Sequence, residues 1–224
     1  MNALLTDRAA AGRALAGQLQ SYAGRDDVVV LALPRGGVPV AWEVARALGA
    51  KLDLLSVRKL GVPHQPALAT GAVASGGAIN VDRQIVASCR VSPEQLEQVI
   101  AAESRELARR ESRYRGGREP VRIEGQTVIV VDDGVATGAS MRAALMALRS
   151  AKPAWIVVAV PVAPPNAQNR IGTAADEFVC LMCPPDFRSI GQYYLDFEPV
   201  GDEQVRDLLV QAGQGGMDGA SGHF

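Results

Sequence analysis

The chain has 224 residues, 48% of them hydrophobic, with 23 basic and 24 acidic side chains and a formal net charge of −1. Near neutrality gives no general attraction for nucleic acid, which shows as a basic excess on the binding domain, and the length suffices for one sizeable α/β core with an appended element. No apolar run is long enough for a spanning helix, and Met1 to Arg8 lacks the basic flank and apolar core of a signal peptide, so a cytoplasmic protein without membrane contact is expected.

In chain order, Asp7 to Tyr22 reads as a helix. Val28 to Leu33 is a β-branched strand running into Pro34-Arg35-Gly36-Gly37-Val38-Pro39, with an Ala-rich helix behind it that stops at Gly49. In that turn Gly36 and Gly37 would let the backbone approach an anion, Arg35 would add a charged fork, and Pro39 fits the first helical turn. Leu52 to Val57 reads as a strand, followed by a mobile polar loop from Arg58 and Lys59 past His64 and a return strand reaching Val73. The plain alternative for Arg58 and Lys59 is a solvated strand end, and His64 reads as a solvent-exposed loop histidine.

Ser92-Pro93-Glu94 is a helix cap and first turn, opening a helical insertion that runs to about Arg113 and is stopped by Arg115-Gly116-Gly117; its bounds are taken as 92–118. Leu96, Val99, Ile100 and Leu107 supply its apolar side. Glu106 with Arg110 and Glu111 with Arg115 stand at i,i+4 spacing and read as a solvated face, while the arginine excess from Arg105 to Arg118 leaves open contact with a phosphate or a second subunit.

Val128 to Val131 is a buried parallel strand ending on Asp132 and Asp133. Gly134-Val135-Ala136-Thr137-Gly138-Ala139-Ser140 then leads into a helix over Met141 to Leu148. Two acidic acceptors for hydroxyls thus precede the free N–H groups and positive dipole end of a helix, which suit a phosphate. The plain alternative is a favourably charged helix start, worth about 0.3–1 kcal/mol whatever the function. A Walker A loop would need Gly-Lys-Ser/Thr, whereas Gly138 is followed by Ala139 and Ser140, and no GxGxxG follows any strand.

This stretch resembles the phosphoribosyl-pyrophosphate signature of the type I phosphoribosyltransferases, an apolar strand followed by two acidic residues and Ala-Thr-Gly-x-Ser/Thr. The resemblance spans roughly Val28 to Val160. It implies an α/β fold with a mostly parallel twisted sheet flanked by helices, a helical insertion and a C-terminal hood, and a transferase that moves ribose 5-phosphate from phosphoribosyl pyrophosphate to a nitrogen acceptor. Asp132 and Asp133 would bind the ribose hydroxyls, and Ala136, Thr137, Gly138, Ala139 and Ser140 the 5-phosphate. Arg35, Gly36 and Gly37 would form the pyrophosphate loop, which often holds a strained or cis peptide that Arg35-Gly36 could accommodate. Arg58 and Lys59, in a closing loop, would take charge from the leaving group, with Asp133 as a catalytic partner. Mg²⁺ would be carried mainly by the donor, with no direct protein ligand assigned.

Some purine-specific members have Asp where Ala136 stands, and many stand-alone relatives an acidic residue near Ala67; neither carboxylate is present. The rival reading is a regulatory module that binds phosphoribosyl pyrophosphate without turning it over. A sugar-phosphate phosphatase is disfavoured by the missing DxD spacing.

Half of the aromatic residues fall between Phe178 and Phe197. Phe187, Tyr193 and Tyr194 could stack on a flat nitrogen base in such a hood, taken as 178–211; a small aromatic core beneath a C-terminal cap is the alternative. Cys180 and Cys183 form a CxxC, but with His64 and His223 the only histidines four zinc ligands are lacking, and a strand over Phe178 to Cys183 would put the sulfurs on opposite faces. Cys89, Cys180 and Cys183 fit a reducing compartment. Asp202 to Gln211 reads as a last helix of a single domain 1–211, and 212–224 as a disordered tail. Oligomeric state is left open, including a homo-oligomer.

Overall fold

The computed structural model describes residues 4–63 and 65–214, so the reading of His64 and most of that of the tail fall outside the described residues. Helix α1 (Arg8–Gln18) is capped by Asp7, whose carboxylate accepts from the Ala10 N–H at 2.7 Å. Strand β1 (Val28–Ala32) leads into α2 (Gly37–Leu48), which Gly49 ends in the left-handed conformation at φ 67°. Strands β2 (Lys51–Leu54), β6 (Thr127–Val131), β7 (Trp155–Val162) and β8 (Glu177–Met182) join β1 in a parallel sheet of order β2-β1-β6-β7-β8.

Every residue of β1 and β6 is buried, as continuous apolar runs require when helices cover both faces. Val28, Val30, Ala32, Ile129 and Val131 pack with Leu15 of α1 and Leu19 just beyond its end, Val40 and Val44 of α2, and Val205 and Leu209 of α7 (Asp202–Gln214). The alternate residues Val29, Leu31, Val128 and Val130 pack with Met141, Leu145 and Leu148 of α5 (Ala139–Arg149) and Ala167 and Ile171 of α6 (Ala167–Ile171). This two-sided burial brings the carboxyl ends of β1, β2 and β6 to one edge, where ligands of open α/β sheets bind. The α/β class and mostly parallel sheet read from the sequence are therefore observed.

Three readings need correction. Arg58 does not begin a polar loop: β3 (Val57–Val62) pairs antiparallel with β4 (Gln65–Ala74), and β5 (Ala78–Val81) completes a second sheet, followed by α3 (Arg83–Ser88). The reason is that the hairpin is covered on both faces, which buries Leu60, Val62, Ala72, Val73 and Ala74. Helix α4 (Pro93–Arg115) has the predicted cap, a reciprocal box between Ser92 and Gln95, and covers Leu60 and Val73 with Leu107. Its Glu111–Arg115 pair, however, is buried rather than solvated. Arg115 Nε donates to Asp53 Oδ1 at 2.9 Å and its Nη1 to Glu111 Oε2 at 2.7 Å, while Ser75 also bonds Glu111. Finally, α7 runs through 212–214, where the tail was expected to begin.

The CxxC geometry is also corrected. Strand β8 stops at Met182, so alternation does not reach Cys183, and the Cys180 thiol donates to the Met182 carbonyl oxygen at 3.1 Å. Burial, and then Cys183, pushes the Cys180 thiol up to about 12; a thiol protonated at neutral pH is a poor nucleophile for exchange. Among the described residues no helix is long and apolar enough to cross a membrane.

Candidate functional site

Strand β1 ends at Ala32, and the chain turns through Leu33-Pro34-Arg35-Gly36 into α2. The cis peptide lies at Pro34–Arg35, one bond before the Arg35–Gly36 position suggested from the sequence. Gly36 and Gly37 are required here by proximity to the end of β6. A Cβ on Gly36 would stand 2.1 Å from Asp133 Oδ2, and one on Gly37 2.7 Å from the Val131 carbonyl oxygen.

Beyond β6, Asp132 Oδ1 accepts from the Asp133 N–H at 2.8 Å. Gly138 adopts φ 78°, which favours glycine, and α5 starts at Ala139, two residues before the expected Met141. Ala139 and Ser140 therefore stand in the first helical turn, where backbone N–H groups lack intrahelical acceptors. Residues 134–141, together with Asp132 and Ile190, line a cavity of about 190 Å³.

A larger cavity of about 630 Å³ meets the first at Asp132 and Ser140, residues that line both. Pro34 and Arg35, Ser56 to Arg58, and Arg109, Arg110, Arg113 and Tyr114 of α4 also line it. Arg35 Nη1 donates to Asp202 Oδ1 at 3.3 Å, and the Tyr114 hydroxyl donates to the same oxygen at 2.8 Å. Arg58 pairs with Glu103 of α4. Lys59 does not join it at this cavity: neighbouring residues of a strand face opposite ways, and Lys59 is exposed.

The two acidic residues differ in setting. Asp132 opens onto both cavities. Asp133 is 8% exposed and tied by its Oδ2 to Arg8 Nε at 2.9 Å; Arg8 also donates to the Glu198 carbonyl and lies 3.9 Å over the Phe197 ring. The Tyr194 hydroxyl donates to the Asp133 carbonyl oxygen at 2.7 Å. Nothing in the sequence around Arg8 marks this contact, since its partner lies 125 residues away.

Burial, and for Asp132 then the neighbouring Asp133 charge, raises both carboxyls above the ordinary range, Asp132 well above it. A raised carboxyl keeps its proton to higher pH, whereas a sugar hydroxyl donates to the ionised form. Were Asp132 to accept from the hydroxyls of ribose 5-phosphate, affinity for that ligand would rise with pH through a titration lying above the usual carboxylate range, and Asp132→Asn would remove that component. Calorimetric titration of both proteins from pH 5 to 8 checks this; coincident pH profiles would refute it.

Phe187, Tyr193 and Tyr194 do not present an open platform. Phe187 and Tyr193 stack on each other at 5.8 Å, Tyr193 and Tyr194 are buried, and all three pack with Ala11 and Val162. They form the small aromatic core beneath the C-terminal cap, and Ile190 is the residue of this segment that reaches the smaller cavity. Apart from Arg8, the sequence reading also missed Asp202; the arginines of α4 were visible in it only as an excess.

The Phosphoribosyl transferase domain family matches residues 2–198. Two Mycobacterium tuberculosis proteins, from strains CDC 1551 and H37Rv and named provisionally as phosphoribosyl transferases, are each 43% identical over 209 residues, covering 93% of this chain and 47% of theirs. The chain thus spans about half the length of the curated relatives it matches. Crystalline TT1426 from Thermus thermophilus is similar with 45% identity and a TM-score of 0.81, over 93% of this chain and 98% of that one.

Proposed function

Because the chain belongs to the phosphoribosyl transferase domain family, we propose that it transfers ribose 5-phosphate from phosphoribosyl pyrophosphate to a nitrogen acceptor, a nucleobase being the first class to test. The observation that supports this most is the meeting of the two cavities at Asp132 and Ser140. The 5-phosphate sits in the smaller one on the N–H groups of residues 136–140, beside the Thr137 and Ser140 hydroxyls and the positive end of α5. The ribose hydroxyls donate to Asp132, and the pyrophosphate points into the larger cavity towards Arg35 and Arg58.

As the C1–O bond breaks, its electron pair leaves with the pyrophosphate oxygen and positive charge develops at C1. The nitrogen lone pair forms the new C1–N bond, and the nitrogen's proton passes to solvent. Arg35 and Arg58 stabilise the departing charge, a contribution that grows in the transition state and so accelerates the step. Asp133 acts through its ion pair with Arg8, fixing the strand end from which Asp132 projects. Among the described residues no group of three or more His, Cys, Asp or Glu side chains stands ready for a metal. Asp132, beside the donor's own oxygens, is the side chain suited to hold Mg²⁺, which when bound neutralises pyrophosphate charge.

The test is Mg²⁺-dependent pyrophosphate release from phosphoribosyl pyrophosphate across purines, pyrimidines and simple nitrogen acceptors. Release is expected with one acceptor class, and Asp132→Asn should lower kcat/KM about 10–100-fold, the equivalent of a charged hydrogen bond worth about 1.5–3 kcal/mol. Undiminished turnover in the variant would remove the ribose role from Asp132. Tight donor binding without release for any acceptor would favour a regulator that binds the donor without turnover.

A further inference from the structure

Helix α4 contributes Arg109, Arg110 and Arg113 to the larger cavity, which Arg35 and Arg58 also line. Five arginines thus line a space that holds only two carboxylates, Asp132 and Asp202. The cations are not placed there by a lack of alternatives. The buried Asp53–Arg115–Glu111 network pins the end of α4 to β2, and Leu107 seats its middle on β3 and β4. Four of the arginines have carboxylate partners: Arg35 with Asp202, Arg58 with Glu103, and Arg109 and Arg110 with Glu106. Arg113 has no such partner among the described residues.

We propose that Arg109, Arg110 and Arg113 form an anion subsite for the outer phosphate of a diphosphate, the far end of the donor's leaving group, an inference that rests on the donor reading above. Charge decides between this and an acceptor role. With the ribose at Asp132 and its 5-phosphate in the smaller cavity, a group leaving C1 into the larger one enters a space lined by Arg35, Arg58 and the α4 arginines. A diphosphate carries the charge to match five guanidinium groups, whereas a neutral nitrogen base gains little from them. Guanidinium forks suit phosphate oxygens, and the Glu106 carboxylate accepts from two of them. A diphosphate entering the cavity exchanges for Glu106 on Arg109 and Arg110 and meets Arg113 directly.

The test is calorimetric titration of the full chain with inorganic pyrophosphate plus Mg²⁺ and, separately, with ribose 5-phosphate. Arg113→Gln is expected to weaken pyrophosphate about tenfold, the Arg109→Gln, Arg110→Gln, Arg113→Gln triple variant further, and Glu106→Gln to tighten it, all with ribose 5-phosphate affinity unchanged. These side chains are on the surface of a pinned helix, and thermal melts check that the variants fold. Pyrophosphate affinity within twofold of the parent in the triple variant overturns the subsite, as does a parent that binds ribose 5-phosphate but not pyrophosphate. A parent that binds neither overturns the donor reading itself.

Discussion

Arg115→Ala is expected to destabilise the protein by about 3–5 kcal/mol, because it leaves two buried carboxylates without their common cation. Asp53 and Glu111 are 4% and 5% exposed, so little water can replace the guanidinium. Asp53 would keep the N–H groups of Leu54 and Val121 at 2.8 and 2.9 Å, and Glu111 the Ser75 hydroxyl; neutral donors offset only part of an unpaired charge. Equilibrium unfolding in urea checks the value, and a loss under 1 kcal/mol would show that the network relaxes to solvent. Arg115→Met combined with Asp53→Leu and Glu111→Leu should recover much of the loss, since an apolar replacement of a whole buried ion group is often neutral or stabilising. Recovered stability would not imply recovered function. The arginine wall of the larger cavity depends on where α4 sits, and the network sets that position by joining α4 to β2 and to the end of β4.

The same network shows where reading the sequence stops. The strand over Val128 to Val131, the acidic pair and the glycine-rich helix start are local features, each fixed by residues within about three turns of chain, and they were legible. So was the cap of α4, whose Ser92, Pro93 and Gln95 act on one another. Glu111 and Arg115 were recognised as a pair, but their burial depends on Asp53, some 60 residues away, docking beside them. Spacing along one helix reports neighbours and carries no information about what covers them. Arg8 and Asp133 fail to be legible for the same reason. For β3 and β4 the misreading has another cause: polar residues and prolines near the hairpin turn masked the alternation of Leu60 with Val62. The aromatic cluster was visible as composition, yet composition cannot separate rings that stack on one another from rings that await a ligand.

Gly36→Ala sets two effects of opposite sign against each other. Gly36 has φ −59° and ψ −36°, a conformation any residue adopts, and it stands at the start of α2. On backbone entropy alone alanine would stabilise by about 0.5–1 kcal/mol. The new Cβ would stand 2.1 Å from Asp133 Oδ2 and 2.7 Å from its Cγ, separations that cannot persist. A free carboxylate could rotate away, but this one is buried and held by Arg8. Either the Arg35-Gly36 turn moves, at an overpacking cost of about 1–3 kcal/mol, or Asp133 leaves Arg8 and exposes the larger penalty of an unpaired buried charge. The steric effect therefore wins, and a net loss of about 1–4 kcal/mol is expected, with weaker pyrophosphate binding because the turn carrying Arg35 shifts. A double-mutant cycle with Asp133→Ala isolates the clash: Gly36→Ala should cost much less once the carboxylate is gone, with a coupling above about 1 kcal/mol. Additive effects would mean that the turn and the acidic strand end are mechanically independent. Coupling would instead tie the glycine turn after β1 to the acidic end of β6 through one side chain, so that Arg8, on neither element, tunes both.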